Sequence, residues 1–181
     1  MVFASWAREN MNRVNINAET IRKAETFAAN VIETVDYSDS NQYSSQKIKY
    51  DHMVSKIAEE AVKQLFESNG RTVIGPDYSI YLGKHKSWNS DLIIDGKHLA
   101  VKSQETSAAL KYGLSWTFQL GSKRRDPILS QMNAWVCFVE VNTDGLYCNV
   151  YDPVKIKNLT FKEPKIQRLV GLKTVVYASD L

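Results

Sequence analysis

Apolar and polar residues alternate in two rhythms along this chain. Between Ala18 and Val35, apolar Ile21, Ala24, Phe27, Ala28, Val31 and Val35 recur at helical spacing, with Asn17 placed as an N-cap. A polar run from Asp36 to Ser45 follows and reads as a loop. A second helix is predicted from about Tyr50 to Ser68, with Met53, Ile57, Ala58, Ala61, Val62, Leu65 and Phe66 on its buried face and Asn69-Gly70 as its stop. Glu59 and Glu60 lie at opposite margins of that face, and helical geometry alone does not choose between them.

The remainder of the chain follows strand rhythm. Arg71 to Ile74 reads as a short strand, and Leu92 to Ile94 and His98 to Gln104 read as two strands joined at Asp95-Gly96, the strongest short-range hairpin signal. Period-2 alternation then sets His98, Ala100, Lys102 and Gln104 on one face and Leu99, Val101 and Ser103 on the other. The segment Glu105 to Gly113 contains a helical turn, and Leu114 to Gln119 alternates like a strand. Ala134 to Val141 is almost continuously apolar, as in a central strand covered on both faces, and it turns at Asp144-Gly145 into Leu146 to Tyr151. Thr174 to Tyr177 is a weaker terminal strand. The expected architecture is α/β: a mixed, mainly antiparallel sheet of about five or six strands flanked by helices. Residues 1–45 form a helical extension and polar loop, and residues 46–181 form the core domain.

Composition narrows the class. At 181 residues and 44% apolar content the chain suits one domain with a sizeable core. The net charge is only +3, yet the basic residues cluster at Lys84-His85-Lys86, at Lys123-Arg124-Arg125 and between Pro153 and Lys173. These clusters are the candidate phosphate contacts, and each singly reads equally well as a solvated surface run. A turn at Asp144-Gly145 sets Cys148 opposite Val141 and not opposite Cys137, so reduced thiols in a cytoplasmic setting are expected. There is no zinc-ligand spacing, no signal-peptide core and no apolar run of membrane-spanning length.

Candidate chemistry gathers around the Asp95-Gly96 hairpin. An acid opening the first strand, Asp91, and Val101-Lys102 within the second together resemble the PD-(D/E)XK nuclease superfamily, over roughly Tyr50 to Val141. The chain departs from that pattern at one position, where Ala100 stands two residues before the lysine in place of the usual acid. The resemblance implies a restriction-endonuclease-like fold and Mg²⁺- or Mn²⁺-dependent hydrolysis of double-stranded DNA, of the sequence-specific restriction or homing type. Asp91 and the Val101 carbonyl would be metal ligands, with position 100 the place of the missing acid. Lys102 would act at the water, Gln104 as a same-face polar partner, and Glu59, favoured over Glu60 by the family pattern, as auxiliary acid. DNA contacts are expected from Lys84, Lys86, Lys123, Arg124 and Arg125, and a homodimer would cut two strands.

A hard divalent cation bound by oxygen ligands polarises a phosphodiester and generates the nucleophile, which is why this chemistry uses carboxylates beside a lysine. Ala100 therefore opens two alternatives: a DNA-binding module on an inactivated nuclease scaffold, or a second acid supplied from elsewhere, with Glu105, Asp77, Glu59 and Glu60 as candidates. A nuclease of branched or damaged nucleic acid is a further reading. On strand parity, Ala100→Glu is expected to complete a two-carboxylate site and raise cleavage. Taken singly, Asp91 reads as a turn residue and Lys102 as an edge-strand lysine.

Overall fold

The Asp95-Gly96 turn forms as the sequence predicts. In the computed structural model, which describes residues 11–32, 34, 44–81, 90–122, 124–144 and 146–181, Asp95 and Gly96 have φ of 47° and 76°. Left-handed geometry at both central residues suits the twist of a two-residue hairpin. The turn joins β3 (Leu92–Ile94) to β4 (Lys97–Glu105), with Leu92 opposite Leu99 and Ile94 opposite Lys97. The Asp95 carboxylate also accepts from Thr72 N (2.9 Å) and meets Arg71 Nε (2.8 Å). That anchor holds β2 (Val73–Ile74) antiparallel to β3.

On its other side β4 pairs with β7 (Trp135–Asn142) in parallel, from Leu99 opposite Trp135 to Glu105 opposite Val141. β8 (Tyr147–Tyr151) then runs antiparallel to β7, and Val141 faces Cys148 as expected. Both thiols are buried and free, and burial pushes both up in pKa, Cys148 to about 12. The far edge is β1 (Met11–Asn15), antiparallel to β8. No periodicity marks this segment as a strand, because a short edge strand is specified by its neighbour more than by its own pattern. The segment expected as an extension thus shares the main sheet, whose order is β1-β8-β7-β4-β3-β2, with the short β9 (Val154–Lys155) beside the start of β7.

Two helices cover one face of this sheet: α1 (Ala18–Val31), capped by Asn17, and α2 (Ser45–Ser68), capped by Ser44. Their ends differ from the sequence reading, α1 stopping at Val31 and α2 starting before Tyr50. The apolar stripe of α2 (Val54, Ile57, Ala58, Ala61, Val62) packs on Leu92, Ile94, Leu99, Val139 and Val141. After α3 (Thr106–Tyr112), a smaller sheet of β5 (Ser115–Gly121), β6 (Arg124–Arg125) and β10 (Lys173–Tyr177) covers the opposite face in the order β10-β5-β6. There Trp116, Phe118, Val136, Phe138 and Val176 form a second core. Trp116 stacks on Phe138 with centroids 4.6 Å apart and donates its indole N–H to the Val139 carbonyl (3.0 Å). Alternate residues of β7 therefore feed two separate cores, which explains its unbroken apolar run. Among the described residues no helix is long and apolar enough to cross a membrane.

Candidate functional site

Asp91 immediately precedes β3, and the register of the hairpin, continued by one pair, sets it opposite Ala100. Its carboxylate turns inward and accepts from the backbone N–H of Val101 (2.7 Å). Burial raises its pKa, while that hydrogen bond and the charges of Lys102 and Lys56 pull it down. A carboxylate tied to the partner strand's backbone has little freedom, so the hairpin fixes it relative to Lys102.

Lys102 and Ala100 share the face of β4 that looks onto the second core, as parity requires. Ala100 packs against that core, and the Lys102 ammonium lies 5.0 Å from the centre of the Phe118 ring. The carboxylate that meets Lys102 belongs to Asp126, just past β6. Asp126 is carried there by the β5–β6 hairpin, its backbone N–H bonded to the Gln119 carbonyl (2.9 Å). Sequence reasoning missed Asp126, reading the loop around it as a phosphate-binding basic cluster. Only the pairing of β5 with β6 reveals that the acid folds back onto β4.

Glu59 approaches from α2 on the opposite face and is buried, with only 8% of its side chain exposed. Burial, with the Asp91 charge acting in the same sense, raises its pKa to about 8 against the pull of Lys56. Lys56, one helical turn earlier, donates to Glu59 at 2.6 Å and is itself only 12% exposed. Its ammonium lies 5.0 Å from the Phe27 ring centre and 5.4 Å from that of Tyr78. Lys56 was also missed, although a lysine three residues before an acid on a largely apolar helix face is a visible signal. Glu60 points elsewhere, accepting from Tyr78 Oη and Lys23 Nζ, both at 2.9 Å. Asp91, Lys102, Asp126, Lys56 and Glu59 thus form one charged centre where β3 begins, each acid within electrostatic reach of another.

The remaining candidates lie apart from it. Gln104 clamps the turn into β5, accepting from Ser115 N (2.8 Å) and donating to the Gly113 carbonyl (3.3 Å). Glu105 caps α3 by accepting from Ser107 N. Asp77 accepts from Tyr81 Oη and Ser79 N, which hold its carboxyl below the usual range. Arg125 is exposed beside Asp126, whereas Lys84, Lys86, Lys123 and the side chain of Arg124 fall outside the described residues, as do the Lys84-His85-Lys86 loop and Gly145. In the basic C-terminal stretch Lys162 pairs with Asp180, while Lys155 and Lys165 lie over the rings of Trp135 and Tyr177.

One glycine sets the position of Asp91. Gly75 has φ of 101°, and a Cβ there would come within 2.8 Å of the Asp91 carbonyl oxygen and 3.1 Å of Leu92. Gly75→Ala is expected to cost roughly 2 kcal/mol, combining a strained left-handed alanine with a displaced strand start. A shift of the denaturation midpoint measures the cost, and an unchanged midpoint would show that the strand accommodates the methyl.

Among the described residues no group of three or more His, Cys, Asp and Glu side chains is placed to hold a metal ion. The donor chemistry of Asp91 and Glu59 nonetheless fits Mg²⁺. Mg²⁺ favours oxygen ligands, needs only one or two carboxylates and keeps waters. Burial raises the proton affinity of both carboxylates, and the Asp91 charge adds to it at Glu59, a strain that a cation relieves. No family model matches this chain, and comparison with curated proteins and with solved structures found no match.

Proposed function

We propose that this chain is a metal-dependent endonuclease acting on double-stranded DNA, resembling the PD-(D/E)XK nucleases in its site. The observation that carries the reading is the hairpin-fixed pair of Asp91 and Lys102, with buried Glu59 brought to it from α2. Asp91, Glu59 and the Val101 carbonyl would hold Mg²⁺ or Mn²⁺. When bound, the ion supplies Lewis acidity at the phosphoryl group and a nucleophile at neutral pH. Lys102 places a positive charge where the phosphorane gains negative charge, and Asp126 fixes the direction of that ammonium. Glu59, whose pKa is raised by burial and by Asp91, would give up its proton on binding the ion. Two copies acting together would cut both strands, and loops near the site would supply sequence selectivity.

A second reading, a DNA-binding module without cleavage, is favoured by a specific observation. Both lysines of the centre are already paired with carboxylates, and position 100 supplies no acid. Incubation with supercoiled and linear duplex DNA in Mg²⁺ and in Mn²⁺ separates the two. The nuclease gives nicked or linear product. The module gives none, yet binds duplex in chelator with an affinity that falls steeply with salt as counterions are released. Ala100→Glu belongs in the same assay. Its side chain would have to fit against the second core, so a gain of cleavage would assign the second acid to β4. Absence of both cleavage and DNA binding would remove both readings.

A further inference from the structure

Position 100 offers the charged centre no acid, and the surroundings of the other carboxylates narrow where one could come from. Glu105 caps α3, Asp77 has both carboxylate oxygens taken by Ser79 and Tyr81, and Glu60 is held by Tyr78 and Lys23. Glu59 arrives from α2, on the other face of the main sheet. Among the described acids, Asp126 is the one that reaches the centre from the face of β4 carrying Ala100 and Lys102.

Asp126 stands at the N-cap position of the 3₁₀ turn Pro127–Ser130, where an aspartate ordinarily accepts from the N–H groups of the turn, yet its side chain makes no capping bond. It turns to Lys102 instead. The backbone beneath it is fixed from both sides, by the bond of its own N–H to the Gln119 carbonyl (2.9 Å) and by Ile128 and Leu129, which pack on the second core. Lys102 meets Oδ2 of Asp126, and Oδ1 takes no hydrogen bond among the described residues. Asp91 is in the same condition, with Oδ2 accepting from Val101 and Oδ1 open. Neither open oxygen is enclosed. The charge of Asp126 is felt at Asp91, so the two carboxylates share one electrostatic neighbourhood beside a lysine.

We infer that Asp126 is the second acid of the centre, doing from the end of β6 what a carboxylate at position 100 would do from β4. The inference rests on the nuclease reading and deepens it: Asp91 and Asp126 become the pair of carboxylates that would hold the cation, with Glu59 an auxiliary acid from the helix side. One or two carboxylates completed by waters suffice for Mg²⁺. Lys102 then also orients a ligating carboxylate, as hydrogen-bonding neighbours do around metal sites. The methyl of Ala100 fits the same scheme, since a longer side chain there would project into the space between the sheets that Asp126 crosses.

The test measures Mn²⁺ binding to the chain without DNA, by loss of the free-ion paramagnetic resonance signal, and in parallel the Mn²⁺ concentration that half-saturates cleavage of supercoiled DNA. The chains are the parent, Asp126→Asn, Glu59→Gln, and Asp126→Asn combined with Ala100→Glu. Asparagine keeps the shape of the side chain and an oxygen for Lys102 while removing the charge. Asp126→Asn is expected to weaken Mn²⁺ in both readouts by more than about tenfold, since even residues one step removed from an ion act on that scale. The loss should exceed that in Glu59→Gln, and Ala100→Glu should restore part of it by returning a carboxylate to the same face. Lys102→Ala with and without Asp126→Asn repeats the binding comparison where no lysine is left stranded, which covers a failure of Asp126→Asn to fold. Mn²⁺ binding that loses nothing with Asp126, or loses more with Glu59, overturns the inference and leaves the nuclease reading with Glu59 as its second acid. A parent chain that neither binds Mn²⁺ nor cleaves DNA overturns the nuclease reading and the inference with it.

Discussion

On the proposed nuclease reading, Lys102→Ala is expected to lower cleavage by a factor of about 10²–10³ or more while leaving duplex binding within about twofold of the parent. The side chain sits mid-strand on β4 with a quarter of its surface exposed, its ammonium paired with Asp126 and facing Phe118. On that reading, removing it would take away the charge that stabilises the pentavalent phosphorane, an interaction that exists only in the transition state. It would contribute little to ground-state affinity, which would come from phosphate contacts spread over the surface. The substitution also strands the Asp126 carboxylate, which is only 16% exposed, so a loss of stability of about 1–3 kcal/mol should accompany it. Lys102→Ala combined with Asp126→Asn distinguishes the two effects: stability should recover, because no unpaired charge remains, whereas cleavage should not. Cleavage by Lys102→Ala within about tenfold of the parent would place the reacting centre elsewhere.

The stability of the parent chain should fall as the solution is taken from pH 5 to pH 9, and Glu59→Gln should remove most of that slope. Glu59 has its pKa raised from 4.5 to about 8 by burial and by Asp91. Between those values the folded chain keeps a proton that the unfolded chain has released, so raising the pH favours unfolding. The contribution is complete below about pH 4.5 and is lost as the pH rises through about 8. Its full size is on the order of 5 kcal/mol. Glutamine keeps an oxygen for Lys56 without titrating, so the variant should be the more stable protein at pH 8.5. Asp91, also raised by burial, leaves a residual slope of the same sign at lower pH. Urea unfolding across this range checks the prediction, and parallel profiles for parent and variant would exclude Glu59 as the titrating group.

Legibility in the sequence followed the range of the interactions involved. The Asp95-Gly96 hairpin, the two helices and the doubly covered strand β7 were visible because local periodicity and turn chemistry determine them. The opposition of Cys148 and Val141 followed from counting out from a turn. β1 was not visible, because its place depends on β8 and its own pattern carries no period. Within the site, Asp91 and Lys102 are eleven residues apart on the two arms of a single hairpin, and parity brought them together. Asp126 and Lys56 were missed for two different reasons. Asp126 reaches Lys102 only through the pairing of β5 with β6 and the stacking of the smaller sheet on the larger, neither of which leaves a mark near residue 126. Lys56 was hidden by the habit of reading a helix lysine as solvated, when Phe27 and Tyr78 in fact enclose it. Gln104 was read correctly as to face and incorrectly placed as to company, since parity says where a side chain starts and not what it bonds.

The parallel pairing of β4 with β7 also leads to an expected order of assembly. The hairpin of β3 and β4 closes across two turn residues and needs little chain entropy, so Asp91 can find the Val101 N–H early. β7 cannot join β4 until the intervening chain, with α3, β5 and β6, has been gathered into a crossover, and such non-local pairings are slow. Lys102 is therefore expected to stay hydrated until the segment carrying Asp126 arrives and the smaller sheet closes over it. Trp116 stacks on Phe138 across that closure, so in a chain whose other three tryptophans are replaced its fluorescence should report the closing of the smaller sheet over Lys102.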